Sequence, residues 1–295
     1  MKTETITSAQ NPKIKNLLLL QEKSKARREQ GLFVVEGRRE LEHCIEAGYT
    51  VKTLFVCSNL WPEELLFPSA KKKADASGNN SSSGSIIIDQ NSAPSFFHHL
   101  THTEVPSVIE IPEQLYRKVA YREGTEGIIA EVEYKSLTLE DLQLPENPLV
   151  VVLESVEKPG NLGAVLRSAD AAGADAVLIC DPLTDLYNPN LIRASIGAVF
   201  TVPTVATSSQ EAIGFLKAKG IQILTAQLQD SSFYYDVDMR RGTALVMGTE
   251  STGLTQAWRE AADAHIRIPM LGRLDSLNVS VSTAILLYEA VRQRQ

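Results

Sequence analysis

Cysteine is scarce in this chain, with three in 295 residues at Cys44, Cys57 and Cys180. An odd number so widely spaced supports neither a disulfide framework nor a zinc site, so the three read as buried thiols. Histidine is nearly as thin, and His98, His99 and His102 stand together with no Cys or acidic partner at ligand spacing; they read as surface residues, and no metal is expected. No apolar run approaches the ~18 residues of a membrane span, and Met1 to Gln10 is too polar for a signal peptide, so the expected location is cytoplasmic with no membrane partner. A Walker loop and a G-x-G-x-x-G fingerprint are both missing, which removes two common glycine-rich nucleotide sites. The net charge of −7 argues against indiscriminate nucleic-acid binding and leaves only a local basic surface for phosphate.

What is present describes a globular protein, with 43% hydrophobic and 22% charged residues. At roughly 100 to 200 residues per domain, the length predicts two α/β domains. Asn11 to Arg28 is predicted as one helix, and it is the most basic stretch: Lys13, Lys15, Lys23, Lys25, Arg27 and Arg28 oppose only Glu22. A solvated helix face and an RNA-facing arm are both open readings. A strand at Leu32 to Glu36, a helix at Arg38 to Ala47 and a strand at Thr53 to Cys57 form a βαβ opening. Between positions 68 and 85 the composition shifts to Lys, Ala, Ser, Gly and Asn, which reads as a surface-loop insertion. Strands follow at Ile86 to Ile88, Val105 to Ile109 and Ile128 to Glu133, with a helix from Pro112 to Ala120. Glu133 to Pro148 reads as the linker, giving domains at 1–145 and 146–295.

The second half alternates more regularly. Leu149 to Leu153 is a continuous apolar run, as expected of a strand covered on both faces, and Leu162 to Ala172 is a helix with one apolar side. Further strands are predicted at Val177 to Ile179, Thr201 to Val205, Ile221 to Thr225, Ala244 to Met247 and Ile266 to Ile268. Helices are predicted at Asn190 to Ala198 and at Ser209 to Lys219, the latter opened by a Ser208 to Glu211 capping box. Such alternation means a mostly parallel sheet with helices on both faces. The last helix follows Ser276, its expected cap, and is apolar around nearly its whole circumference, so a sheet and a second subunit are the expected covers.

Ligands in open parallel sheets bind beyond the carboxyl ends of the strands, which directs attention to three segments. They are Glu154-Ser-Val-Glu-Lys-Pro-Gly-Asn-Leu-Gly-Ala-Val-Leu-Arg167, Gly248-Thr-Glu-Ser-Thr-Gly-Leu254, and Met270 to Asn278. In the first, Gly160 and Gly163 let backbone approach a ligand, Asn161 offers an amide, and Arg167 a fixed fork for phosphate. Each is weak alone, but all three fall at the same edge of one sheet.

Together with Tyr187-Asn-Pro-Asn-Leu-Ile-Arg-Ala-Ser-Ile-Gly-Ala-Val-Phe200, these segments resemble the SpoU, or TrmH, branch of the SPOUT RNA methyltransferases, over Leu149 to Arg292. Phe33-Val-Val-Glu-Gly37 resembles the opening of the ribosomal-protein-L30e-like substrate-binding domain that often precedes the catalytic one. The resemblance implies S-adenosyl-L-methionine as cofactor, methylation of a ribose 2′-hydroxyl in structured RNA, ribosomal before transfer RNA, a C-terminal trefoil knot, and a homodimer. It implies a cofactor site at Thr225, Gly248, Ile268 and Leu277, and catalytic roles for Asn161, Arg167, Glu250, Ser276 and Asn278. Lys158 departs from the Asp or Asn more often found there, and Ser251 from a frequent Gly. Base methylation, a noncatalytic RNA-binding paralogue and a Rossmann-like dinucleotide enzyme are the rival readings, the last disfavoured by the missing glycine fingerprint.

Overall fold

The computed structural model describes residues 2–60, 107–121, 124, 126–249 and 252–295. The expected insertion at 68–85, the strand at Ile86 to Ile88, the histidine cluster, Glu250 and Ser251 lie outside them. The chain divides into two compact units, Met1–Tyr134 and Lys135–Gln295.

The first unit holds strands β1 (Lys2–Thr5), β2 (Leu32–Glu36), β3 (Val51–Val56), β4 (Ser107–Glu110) and β5 (Ile128–Glu133) in the order β1-β4-β3-β5-β2. Its helices are α1 (Pro12–Glu22), α2 (Ser24–Gln30), α3 (Arg38–Glu46) and α4 (Glu113–Val119). The βαβ opening holds with one change: β5 lies between β2 and β3, antiparallel to both, so those two strands run parallel without pairing. Ile14, Leu17 and Leu20 of α1 pack with Phe55, Ile109 and Tyr116 in the core of this unit.

The basic stretch is two helices instead of the one predicted. Lys23 is extended, at φ −109 and ψ 110, and Arg27 turns back to donate to the carbonyls of Leu20 at 2.7 Å and Gln21 at 3.1 Å. A cation on the last carbonyls of a helix satisfies groups that have no partner within it. Arg27 is therefore buried, at 2% exposure, and leaves the basic surface to Lys13, Lys15, Lys23, Lys25 and Arg28.

The second unit is built on seven strands, all parallel: β6 (Leu149–Glu154), β7 (Ala176–Cys180), β8 (Thr204–Thr207), β9 (Gln222–Ala226), β10 (Ser232–Phe233), β11 (Thr243–Met247) and β12 (Ala264–Arg267). Their order, β10-β12-β9-β11-β6-β7-β8, places the start at β6. The chain runs outward through β7 and β8, then crosses to β9 on the other side, and β11 later fills the gap. The β6/β11 seam is thus where the direction of winding changes, and the carboxyl end of such a seam is where open sheets bind ligands. Every residue of β6, β7 and β11 is buried, as the unbroken apolar runs require.

The helices of this unit are α5 (Pro159–Ala172), α6 (Pro189–Ser195), α7 (Ala198–Thr201), α8 (Ser209–Ala218), α9 (Gln256–Ala261) and α10 (Val279–Arg294). α5 begins three residues earlier than predicted because Pro159 suits the first helical position, so Gly160 and Asn161 belong to its first turn. The predicted strand at Thr201 begins at Thr204 instead, after the one-turn helix α7. The capping box on α8 is present in full. On α10 the cap is Asn278, with Ser276 two residues outside. Val279, Leu286, Leu287 and Ala290 of α10 are buried, while Val281 is 47% and Tyr288 53% exposed. One face is covered within the chain and the other is open.

Candidate active site

Two cavities lie beyond the carboxyl ends of the central strands. The larger, about 480 Å³, is walled by Ala226 and Gln227 after β9, Gly248, Thr249, Gly253 and Leu254 after β11, and Ile268, Met270, Ser276, Leu277 and Val279 around β12 and α10. Its size falls in the range of small-molecule sites. The smaller, about 210 Å³, is walled by Val156, Glu157, Lys158, Asn161, Gly248, Thr249 and Val279. Gly248, Thr249 and Val279 belong to both, so the cavities share one wall.

That wall is a closed turn. Gly253 N–H donates to the Thr249 carbonyl at 3.1 Å, Thr252 N–H to the Thr249 hydroxyl at 3.0 Å, and the two threonine hydroxyls lie 2.7 Å apart. A Cβ on Gly248 would lie 2.4 Å from the Gly253 carbonyl carbon, so only glycine lets the turn fold back here. Gly163 has a different use from the ligand approach expected of it: its missing Cβ admits α6, with Ala194 Cβ 2.5 Å from where a Cβ would stand.

Asn161 and Asn278 meet although 117 residues separate them. The Asn278 amide donates to Asn161 Oδ1 at 3.1 Å, while Asn278 Oδ1 accepts from Ser280 N–H at 3.0 Å and from the Ser280 hydroxyl at 2.6 Å. Capping α10 orients the Asn278 carboxamide, which in turn presents its N–H to Asn161. Asn161 lines the smaller cavity; Gly248, Ile268, Leu277 and Ser276 line the larger.

Two of the expected residues stand elsewhere. Thr225 lies outside the cavity wall; it is fully buried, its hydroxyl 2.6 Å from His265 Nδ1, and the next residue, Ala226, forms the wall. The strand runs one residue further than predicted, which shifts the wall by one position. Arg167 is exposed and borders neither cavity. It follows Asn161 by six residues on one helix, about 9 Å along the axis and about 240° around it. Sequence reasoning also passed over Thr249 and Gln227. The signal for Thr249 was its Thr-x-x-Thr spacing, which suits hydroxyl-to-backbone bonding within a turn. Among the described residues no group of three or more His, Cys, Asp or Glu is placed to hold a metal ion.

A wound parallel sheet with two cavities sharing one wall at its switch point defines an α/β domain of the kind that binds ligands at its carboxyl edge. The chain belongs to the SpoU rRNA methylase family, whose model matches residues 148–288, and a model for an MRM3-like substrate binding domain matches residues 11–130. A 23S rRNA (guanosine-2′-O-)-methyltransferase, RlmB, of Bordetella pertussis is 41% identical over 175 residues, 58% of this chain and 71% of that protein. A 23S rRNA uridine 2′-O-methyltransferase of Streptomyces viridochromogenes is 28% identical over 90% of this chain and 84% of its own length. The crystal structure of an RNA 2′-O ribose methyltransferase matches with a TM-score of 0.77 and 36% identity, over 98% of this chain and 99% of that one. An AdoMet-bound rRNA methyltransferase from Sinorhizobium meliloti matches with a TM-score of 0.81 and 27% identity, over 98% of both chains.

Proposed function

We propose that this chain is an S-adenosylmethionine-dependent RNA methyltransferase that modifies a ribose 2′-hydroxyl of ribosomal RNA. The observation that carries the reading is the shared wall: a cofactor-sized cavity opens beside one large enough for a sugar, and the Asn161–Asn278 pair stands at the smaller. When bound, the cofactor supplies an electrophilic methyl on a sulfonium. The chain supplies position, which is where much of the acceleration of such a displacement comes from. Gly248, Ile268 and Leu277 hold the cofactor through backbone, with Ala226 closing the wall that Thr225 supports from behind. Asn161 and Asn278 orient the acceptor sugar, Ser276 adds a polar group on the wall of the larger cavity, Glu250 keeps the catalytic role that the family resemblance implies, and no metal takes part.

Arg167 fits this reading through a homodimer. Standing off from the cavities of its own chain, it serves the site once two copies pair across the open face of α10, where Val281 and Tyr288 are exposed. Leu271, at 97%, and Leu274, at 75%, add exposed apolar side chains in the loop before α10. The knotted C-terminal threading and a cytoplasmic location belong to the same proposal. The first unit, with Lys15, Lys23, Lys25 and Arg28 exposed, grips structured RNA through phosphates.

A mixing experiment tests it. Arg167→Ala and Asn278→Ala should each bind cofactor and fail to methylate ribosomal RNA from cells lacking the gene. If sites are shared between copies, refolding the two together at equal amounts restores about a quarter of the wild-type sites, as expected for random pairing in a two-fold dimer. Absence of rescue refutes the shared site, and a methyl group mapped to a base refutes the ribose assignment.

A further inference from the structure

Glu154, the last residue of β6, is 2% exposed and borders neither cavity. Its Oε2 accepts from Thr255 N–H at 2.8 Å and its Oε1 from the Thr255 hydroxyl at 2.6 Å, across 101 residues. The Ser209 hydroxyl lies 3.3 Å from the same Oε1, donates to Asp181 at 2.6 Å and accepts from the indole N–H of wholly buried Trp258 at 2.8 Å. The end of β6 and the starts of α8 and α9 thus meet at the Glu154 carboxylate, and Ser209 ties in Asp181 at the end of β7. Thr255 is the cap residue of α9 but its side chain makes no capping bond in its own helix, being committed to Glu154.

The placement has a geometric consequence. The turn that forms the wall of both cavities begins at Gly248, where it leaves β11, and ends at Leu254, next to Thr255. β11 pairs with β6, so the near end of the turn is already fixed relative to Glu154. The Thr255 bonds fix the far end to the same residue, from which the chain also departs toward Asn161. One buried group therefore references both walls to each other.

We propose that Glu154 is a positioning residue that sets the place of the Gly248–Leu254 turn relative to Asn161, and with it the fit of the cofactor cavity. This rests on reading the larger cavity as the S-adenosylmethionine site. The bonds require an acceptor for the Thr255 N–H; hydroxyls can reverse their direction, an amide N–H cannot. Glu154→Gln keeps that acceptor while letting the Thr255 hydroxyl turn to accept, whereas Glu154→Met keeps the length and removes both acceptors.

Titration with S-adenosylmethionine separates the outcomes. Glu154→Met should raise its Kd roughly ten- to hundredfold, the range for losing hydrogen bonds to a charged group, and Glu154→Gln should recover to within about threefold of wild type. The KM for RNA, which the proposed phosphate contacts of the first unit dominate, should move less than the cofactor Kd in both. Leu216→Ala, a core change away from the cavities, serves as the control that lowers the melting temperature without moving Kd. If Glu154→Met does not fold, Thr255→Val, at an exposed residue, reports on the same contact and should weaken cofactor binding by about three- to tenfold. Unchanged Kd in folded Glu154→Met or in Thr255→Val, or an equal loss in Leu216→Ala, overturns the proposal. Wild-type protein that fails to bind S-adenosylmethionine would instead overturn the proposed function beneath it.

Discussion

Removing one guanidinium near the end of α10 should loosen the whole second unit. Arg294 Nε donates to the Met239 carbonyl at 2.9 Å, one terminal nitrogen donates to Asn147 at 2.9 Å, and the other to Arg241 at 2.8 Å and Pro148 at 3.2 Å. Three stretches of chain converge on it: the approach to β6, the approach to β11, and the last turn of α10. Gln293 reinforces the second, accepting from Met239 N–H at 2.8 Å and donating to the Val237 carbonyl at 3.1 Å. Partial burial lowers the Arg294 pKa from its ordinary value, yet arginine stays protonated in proteins. Bonds from a charged donor are worth about 1.5 to 3 kcal/mol each, so four give an upper bound near 12 kcal/mol. Water can re-solvate the freed carbonyls at this half-exposed site, and an ordered arginine loses about 2 kcal/mol of rotamer entropy. The expected cost of Arg294→Ala is therefore about 2 to 4 kcal/mol, or a fall in Tm of roughly 5 to 15 °C for a unit of this size. Arg294→Lys should recover less than half, since an ammonium cannot span the fork. Urea denaturation in a Trp61→Phe background, followed by Trp258 fluorescence, reads the second unit. A loss below about 0.5 kcal/mol with unchanged m-value would show that water satisfies these carbonyls as well as the guanidinium does.

Two further substitutions check the packing and the electrostatics. Gly163→Ala places a methyl 2.8 Å from Ser195 backbone nitrogen as well as against Ala194, and should cost about 1 to 3 kcal/mol by overpacking, while Gly160→Ala, with open space around it, should be neutral or slightly stabilising. Equal melting temperatures for the two would refute the close α5/α6 approach. In the first unit, burial raises the pKa of the Glu131 carboxyl above its ordinary value, against smaller opposing contributions from Thr53 and Asn16. The folded state then holds this proton to higher pH than the unfolded state, so its contribution to stability is present at acidic pH and is lost as pH rises through the folded pKa. Glu131→Gln should flatten that mildly acidic dependence, read as Tm against pH; an unchanged slope would place the dependence on another group.

Local patterns were enough for most of the architecture. The apolar run at Leu149 to Leu153 reads as a strand covered on both faces, Ala244 to Met247 reads as another strand, and the Ser208 box marks the start of α8. The Asn161, Gly248 and Asn278 segments were legible as a set because each directly follows, or caps, a predictable element. Tertiary structure decided the rest. Whether Arg27 lay on the basic face depended on a helix break that left two carbonyls in need of a donor. Whether Gly163 faced a ligand or a helix depended on where α6 packed. The meeting of Asn161 with Asn278, and of Glu154 with Thr255, depended on β11 entering the sheet beside β6 long after β6 had formed its other neighbour. Periodicity and capping act over a few residues, within reach of local reading; the order of strands in a sheet is set by which buried surfaces fit together across the whole unit.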